Sequence, residues 1–69
     1  RGMLDEAVAV FELNVEMFPE ASNPYDSLGE AYLAAGRREL AISNYQRSLV
    51  LDSSNDNARR VLAELTEIK

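Results

Sequence analysis

The stretch Asn23-Pro24-Tyr25-Asp26-Ser27-Leu28-Gly29-Glu30-Ala31-Tyr32-Leu33 decides how this chain folds. Its apolar residues do not alternate. Tyr25, Leu28, Gly29, Tyr32 and Ala35 recur at spacings of three and four, which puts them on one face of a helix. Asn23 is expected to cap that helix with its side-chain oxygen, and Pro24 suits the first helical position, where an N–H is not needed. Asp26 then falls in the first turn, where the helix dipole favours a carboxylate. The helix should end near Ala35, with Gly36 free to take the left-handed conformation that closes a helix. Gly29 sits mid-helix, at a cost of about 1 kcal/mol relative to alanine. A helix accepts that most readily where another backbone must approach closely.

Working outward, three more helices are expected. One runs from Met3 to Phe18 and stops at Pro19, which cannot continue a helix. Another runs from Arg38 to Leu51, with Leu40, Ala41, Tyr45, Leu49 and Leu51 as its apolar stripe and Ile42 and Val50 widening it. The polar stretch Asp52-Ser53-Ser54-Asn55 breaks the pattern and offers caps for a last helix, Asp56 to Ile68. No stretch alternates long enough to suggest a strand. The fold class is all-α, with short connections making neighbouring helices antiparallel hairpins. Within Met3–Phe18 only Asp5, Glu6, Glu12, Asn14 and Glu16 are polar. A helix with one buried face needs fewer apolar residues, so this one is expected to be covered on two sides.

Composition narrows the chemistry. The chain has 69 residues, no Cys, His or Trp, and a net charge of −5. A chain of this size makes one domain at most. Disulfide scaffolds and thiolate zinc sites are excluded, and so is the usual neutral-pH proton shuttle. A pI near 4.5 argues against nucleic acid as a partner. No apolar run is longer than the five residues of Ala7 to Phe11, far too short to span a bilayer, and no basic-then-apolar targeting segment is present. The opening Arg1-Gly2 reads as a soluble piece of a longer protein, cytoplasmic or bacterial periplasmic. Residues 1–34 hold one base and seven acids, whereas residues 35–69 hold six bases and five acids.

Sliding the sequence on itself by 34 residues pairs Ala7 with Ala41, Val8 with Ile42, Phe11 with Tyr45 and Val15 with Leu49. It also pairs Asn23 with Asn57, Leu28 with Leu62, Gly29 with Ala63 and Glu30 with Glu64. A period in this range marks units that stack to share a core. The central unit carries Tyr25-x₂-Leu28-Gly29-x₂-Tyr32, then Ala41-x₃-Tyr45, then Ser53. It resembles the tetratricopeptide repeat, whose pattern is W-x₂-L-G-x₂-Y, then A-x₃-F, then P. Tyrosines replace Trp and Phe, and Ser53 replaces Pro. The preceding half-unit supplies Ala7-x₃-Phe11 and Pro19, while Arg59 and Thr66 stand where the last helix would have aromatics. The resemblance implies the second half of one repeat over residues 1–21, a full repeat over 22–55 and a capping helix over 56–69, stacked as a short solenoid. The same phrasing is similar to C-terminal repeat appendages of some bacterial serine hydrolases.

By that resemblance the chain is a protein–protein interaction module. Asn23, Asp26, Glu30, Leu33 and Ala34, with Asn57, Arg60, Glu64 and Glu67, would line its concave surface. Some members of the family grip a C-terminal carboxylate with bases and amides. Asp26 and Glu30 stand at those places here, so a basic or apolar segment is the expected ligand. The alternative is a structural or oligomerisation appendage. In that case Met3, Leu4, Val8, Phe11 and Val15 of the first helix dock on an upstream domain or a second copy, and no peptide binds.

Enzymatic readings find little support. Glu12 and Glu16 lie one helical turn apart, but paired carboxylates need a cleft and a raised pKa to catalyse. The serines have no His base, and Lys69 is the only lysine. Asp52-x-Ser54-x-Asp56 faintly echoes a calcium loop but has Asn57 for the required Gly and Ala63 for the required Glu. No cofactor or metal is expected.

Overall fold

A computed structural model describes residues 2–66 and the side chains of 5–66. Among the described residues there are four helices: α1 (Gly2–Met17), α2 (Ser22–Ala34), α3 (Arg38–Leu51) and α4 (Asp56–Thr66). The expected extension of the last helix to Ile68, and Glu67 with it, lies outside the described residues. Each helix packs on the next in the chain, α2 most extensively on α3. The result is a slab of 31 × 29 × 14 Å, an all-α stack of hairpins.

The helix ends follow from local chemistry. Phe18-Pro19-Glu20-Ala21 is a tight turn closed by the Ala21 N–H on the Phe18 carbonyl at 3.1 Å, with proline at its second place. Asp52-Ser53-Ser54-Asn55 closes the same way at 3.1 Å, from Asn55 N–H to the Asp52 carbonyl. Ser53 therefore stands structurally where Pro19 does. Gly36, at φ 79°, is the one positive-φ residue among those described. The Arg37 N–H reaches the Tyr32 carbonyl at 2.8 Å and the Gly36 N–H reaches Leu33 at 3.0 Å. This paired closure is what a left-handed glycine permits at a helix end.

The start of α2 corrects the sequence expectation. The helix begins at Ser22, with Ala21 as the residue before it and no side-chain cap. Asn23 is therefore inside the helix, Pro24 is its third residue and Asp26 lies beyond the first turn. Pro24 still costs nothing there, because the first four N–H groups of a helix lack internal partners. Asn55, in contrast, does cap: its Oδ1 accepts the Ala58 N–H at 3.0 Å, starting α4.

The buried centre joins Leu28 and Tyr32 of α2, Ala41 and Tyr45 of α3, and Ala58 of α4. Val8, Phe11 and Val15 of α1 pack against it from one side, and Leu49, Val61, Leu62 and Leu65 from the other. Gly29 does accommodate a close approach, but by the ring of Tyr45 and not by a backbone. Leu40 and Val50, expected on the apolar stripe of α3, are exposed, and the polar Ser48 is fully buried, as is Ala41 on that helix.

Candidate interaction surfaces

The face of α2 turned from the core presents Asn23, Glu30 and Ala34, all exposed. Leu33 is half-buried and packs against the core. On α4, Asn57, Arg60 and Glu64 are exposed, with Arg60 donating to the Asn57 side-chain oxygen at 2.9 Å. These residues are thus available to solvent on two helices, with Glu30 and Glu64 at equivalent places 34 residues apart.

Asp26 behaves differently. It is half-buried, and its Oδ2 accepts from Asn55 Nδ2 at 2.9 Å, while its Oδ1 is buried without a protein partner. Asn55 Nδ2 also reaches Ser48 Oγ at 2.9 Å. The Ser22 and Ser48 hydroxyls lie 3.0 Å apart, and Ser48 donates to the Ser22 carbonyl at 3.2 Å. A polar node therefore ties the start of α2 to the end of α3 and the cap of α4. Sequence reasoning missed it because Ser48 sits on an otherwise apolar stripe. The available signal was that Asn14, its counterpart 34 residues earlier, is polar at the same place.

A second polar contact holds α1 to α2. The Tyr32 hydroxyl donates to the Glu12 carboxylate. That bond, with burial next, raises the Tyr32 pKa above its ordinary 10.0. Burial likewise raises Tyr45, with the negative charges of Glu30 and Asp26 adding to it. Beside Tyr32 a recess of about 310 Å³ opens between α1 and the α2–α3 turn, lined by Asp5, Val8, Glu12, Tyr32, Ala35, Arg37 and Leu40. It holds two carboxylates, Asp5 and Glu12, against one guanidinium, Arg37, and the Tyr32 hydroxyl in it is taken up by Glu12. Tyr25, expected in the core, is half-buried and donates to the Pro19 carbonyl at 2.9 Å.

The structure divides the faces of α1. Val8, Phe11 and Val15, expected as a docking set, are turned inward onto the core; the side chains of Met3 and Leu4 lie outside the described residues. The apolar side chains left outward are Val10 at 56%, Leu13 at 55% and Met17 at 60% exposed, followed by Phe18 at 55%. Sequence reasoning missed these because a helix apolar nearly all round gives no contrast from which to read an inner face.

Among the described residues no three His, Cys, Asp or Glu side chains converge as metal ligands would, and no helix is long and apolar enough to cross a membrane. A helical hairpin stack of this kind typically serves as a non-enzymatic interaction scaffold. No family model matches the chain. A curated relative, an Hsp70-Hsp90 organizing protein of Triticum aestivum, is 36% identical over 59 residues, covering 86% of this chain and 10% of the relative. The chain thus spans about a tenth of the length of the relative it matches. That similarity and the four-helix hairpin stack are together consistent with a tetratricopeptide-type unit.

Proposed function

We propose that the chain is a non-enzymatic protein–protein interaction module. It would offer Asn23, Glu30 and Ala34 of α2, with Asn57, Arg60 and Glu64 of α4, to a segment of another protein. The observation that carries this reading is that Glu30 and Glu64 are exposed at equivalent places on two helices whose opposite faces supply Leu28, Tyr32 and Ala58 to one core. Carboxylates so placed favour a ligand with lysine, arginine or apolar side chains over a carboxylate tail. The relative's name links it to two proteins, Hsp70 and Hsp90. For this chain the partner is a protein segment of basic or apolar character. Asp26 contributes to the node more than to the surface, so it is a poor residue with which to test binding.

The test is to pan a displayed library of short random peptides on the 69-residue chain. Enriched peptides should be rich in Lys, Arg and apolar residues. Glu30→Lys combined with Glu64→Lys should weaken them about tenfold or more. Equal affinity for the double variant would reject the surface. A second reading rests on a different observation, the outward apolar side chains of α1. In it the chain docks, or pairs with a second copy, through that helix as an appendage of a larger protein.

A further inference from the structure

We propose that the outward stripe Val10–Leu13–Met17 of α1 is a docking face for a basic amphipathic helix of another protein. The proposal deepens the second reading above and is independent of the α2–α4 surface. Residues 10, 13 and 17 share one side of the helix by their spacing, and each is more than half exposed. Stacking of hairpins does not require Val10 and Leu13 to be apolar. The residues of α3 that stand 34 places later are Asn44, Arg47 and Leu51, of which Arg47 is exposed and Asn44 and Leu51 are half-buried. The face of α3 that buries against neighbouring helices is instead Ala41, Tyr45 and Ser48. Repeat-to-repeat packing therefore accounts for Ala7, Phe11 and Asn14 on α1. It does not call for apolar side chains at Val10 and Leu13, whose counterparts are the polar Asn44 and Arg47.

Charge selects the occupant. Glu6 lies in line with the stripe one turn before Val10, Glu16 borders it, and both are exposed. Every charged side chain described on α1 is acidic, namely Asp5, Glu6, Glu12 and Glu16. The ion pair among the described residues, Arg59 with Asp56, lies on α4. A second copy would bring the same acids and no base from α1. Among the described residues no arrangement of two such helices gains an ion pair, and the antiparallel one sets acidic edges side by side. A helix with an apolar stripe flanked by Lys or Arg satisfies both features, covering the stripe and pairing with Glu6 and Glu16.

The test titrates the 69-residue chain with two synthetic amphipathic helical peptides, one of Leu and Lys and one of Leu and Glu, by calorimetry. The Leu/Lys peptide should bind, and the Leu/Glu peptide at least about tenfold more weakly. Leu13→Asp should weaken the Leu/Lys peptide by a similar factor although it adds an acid. That sign separates docking from general attraction to an acidic chain. Val50→Asp, at an exposed place on α3, should leave binding unchanged. Glu6→Lys with Glu16→Lys should reverse the preference between the peptides, and circular dichroism should show each variant helical. Tighter or equal binding by Leu13→Asp, or equal binding of both peptides, would overturn the proposal. So would sedimentation showing a dimer of the parent chain that Leu13→Asp dissociates, because the second copy would then be the occupant. Leu/Lys binding that survives Leu13→Asp but is lost on Glu30→Lys with Glu64→Lys would likewise overturn it, placing the peptide on the α2–α4 surface instead.

Discussion

The ring of Tyr45 occupies the space a side chain at Gly29 would need: a Cβ there would lie 2.8 Å from Tyr45 Cε2 and 2.9 Å from Cδ2. Both atoms belong to a rigid ring that is itself 3% exposed, so neither can swing aside. Two opposing effects then meet. Alanine would gain about 1 kcal/mol of helix propensity, while overpacking costs about 1–3 kcal/mol.

The expected outcome is a net loss. Gly29→Ala should lower the urea midpoint, Gly29→Leu should lower it further, and Gly29→Ala should be milder in a Tyr45→Leu background. A midpoint that rises with Gly29→Ala alone would show that the ring does not stand there.

Asn55 carries three tasks: capping α4, holding Asp26 and meeting Ser48. Asn55→Ala should cost about 2 kcal/mol or more, combining a lost cap with polar groups left unpaired. Asn55→Asp would keep the cap but set a second carboxylate beside Asp26, so it should rescue little. Equilibrium denaturation of both variants, with amide exchange along α4, measures this. Undisturbed protection of Val61 and Leu62 in Asn55→Ala would count against it.

Ser53→Pro is expected to stabilise. The residue before it, Asp52, has φ −145° and ψ 94°, the extended conformation that a following proline requires. The turn matches the one that already carries Pro19. A gain of about 0.4–1 kcal/mol should follow from the reduced freedom of the unfolded chain. A lowered melting temperature would show that the two turns differ.

Alkaline pH should unfold the chain earlier than its carboxylates alone would suggest. The pKa values of Tyr32 and Tyr45 are both raised from 10.0 in the folded state. A raised folded pKa contributes stability that is fully present below the unfolded value and is lost as pH climbs through the folded one. Melting temperature should therefore be flat up to about pH 9 and fall above pH 10. Tyr32→Phe removes one of the two groups and should make the fall shallower. A slope unchanged by that substitution would remove Tyr32 from the account.

Leu28, Tyr32, Ala41 and Tyr45 were legible as the core because each recurs at helical spacing against polar neighbours. The helix ends at Pro19 and Gly36 were legible because these residues restrict or free the backbone whatever surrounds them. The start of α2 was misread, since Asn23 is an apt cap only in isolation. The Phe18–Ala21 turn already delivers the chain in an extended conformation at Ala21, and the helix starts two residues before Pro24. The docking set on α1 shifted for a different reason. Val8 and Val10 are chemically alike, and only the position of α2 distinguishes them. The 34-residue period marked position 48 as polar through Asn14, but it could not name the partners of Ser48, which come from residues 22 and 55.

The Ser22–Ser48–Asn55 node has a consequence for how the helices may slide. Aliphatic side chains are nearly interchangeable along a helix groove, so Leu28 or Leu49 could find comparable contacts one turn away. Hydroxyl and amide groups cannot. Displacing α3 by a turn along α2 would separate Ser48 from the Ser22 carbonyl and leave buried donors without acceptors, each costing about 1–3 kcal/mol. The node acts as a register pin, choosing one alignment of three helices from several that the oily contacts alone would tolerate.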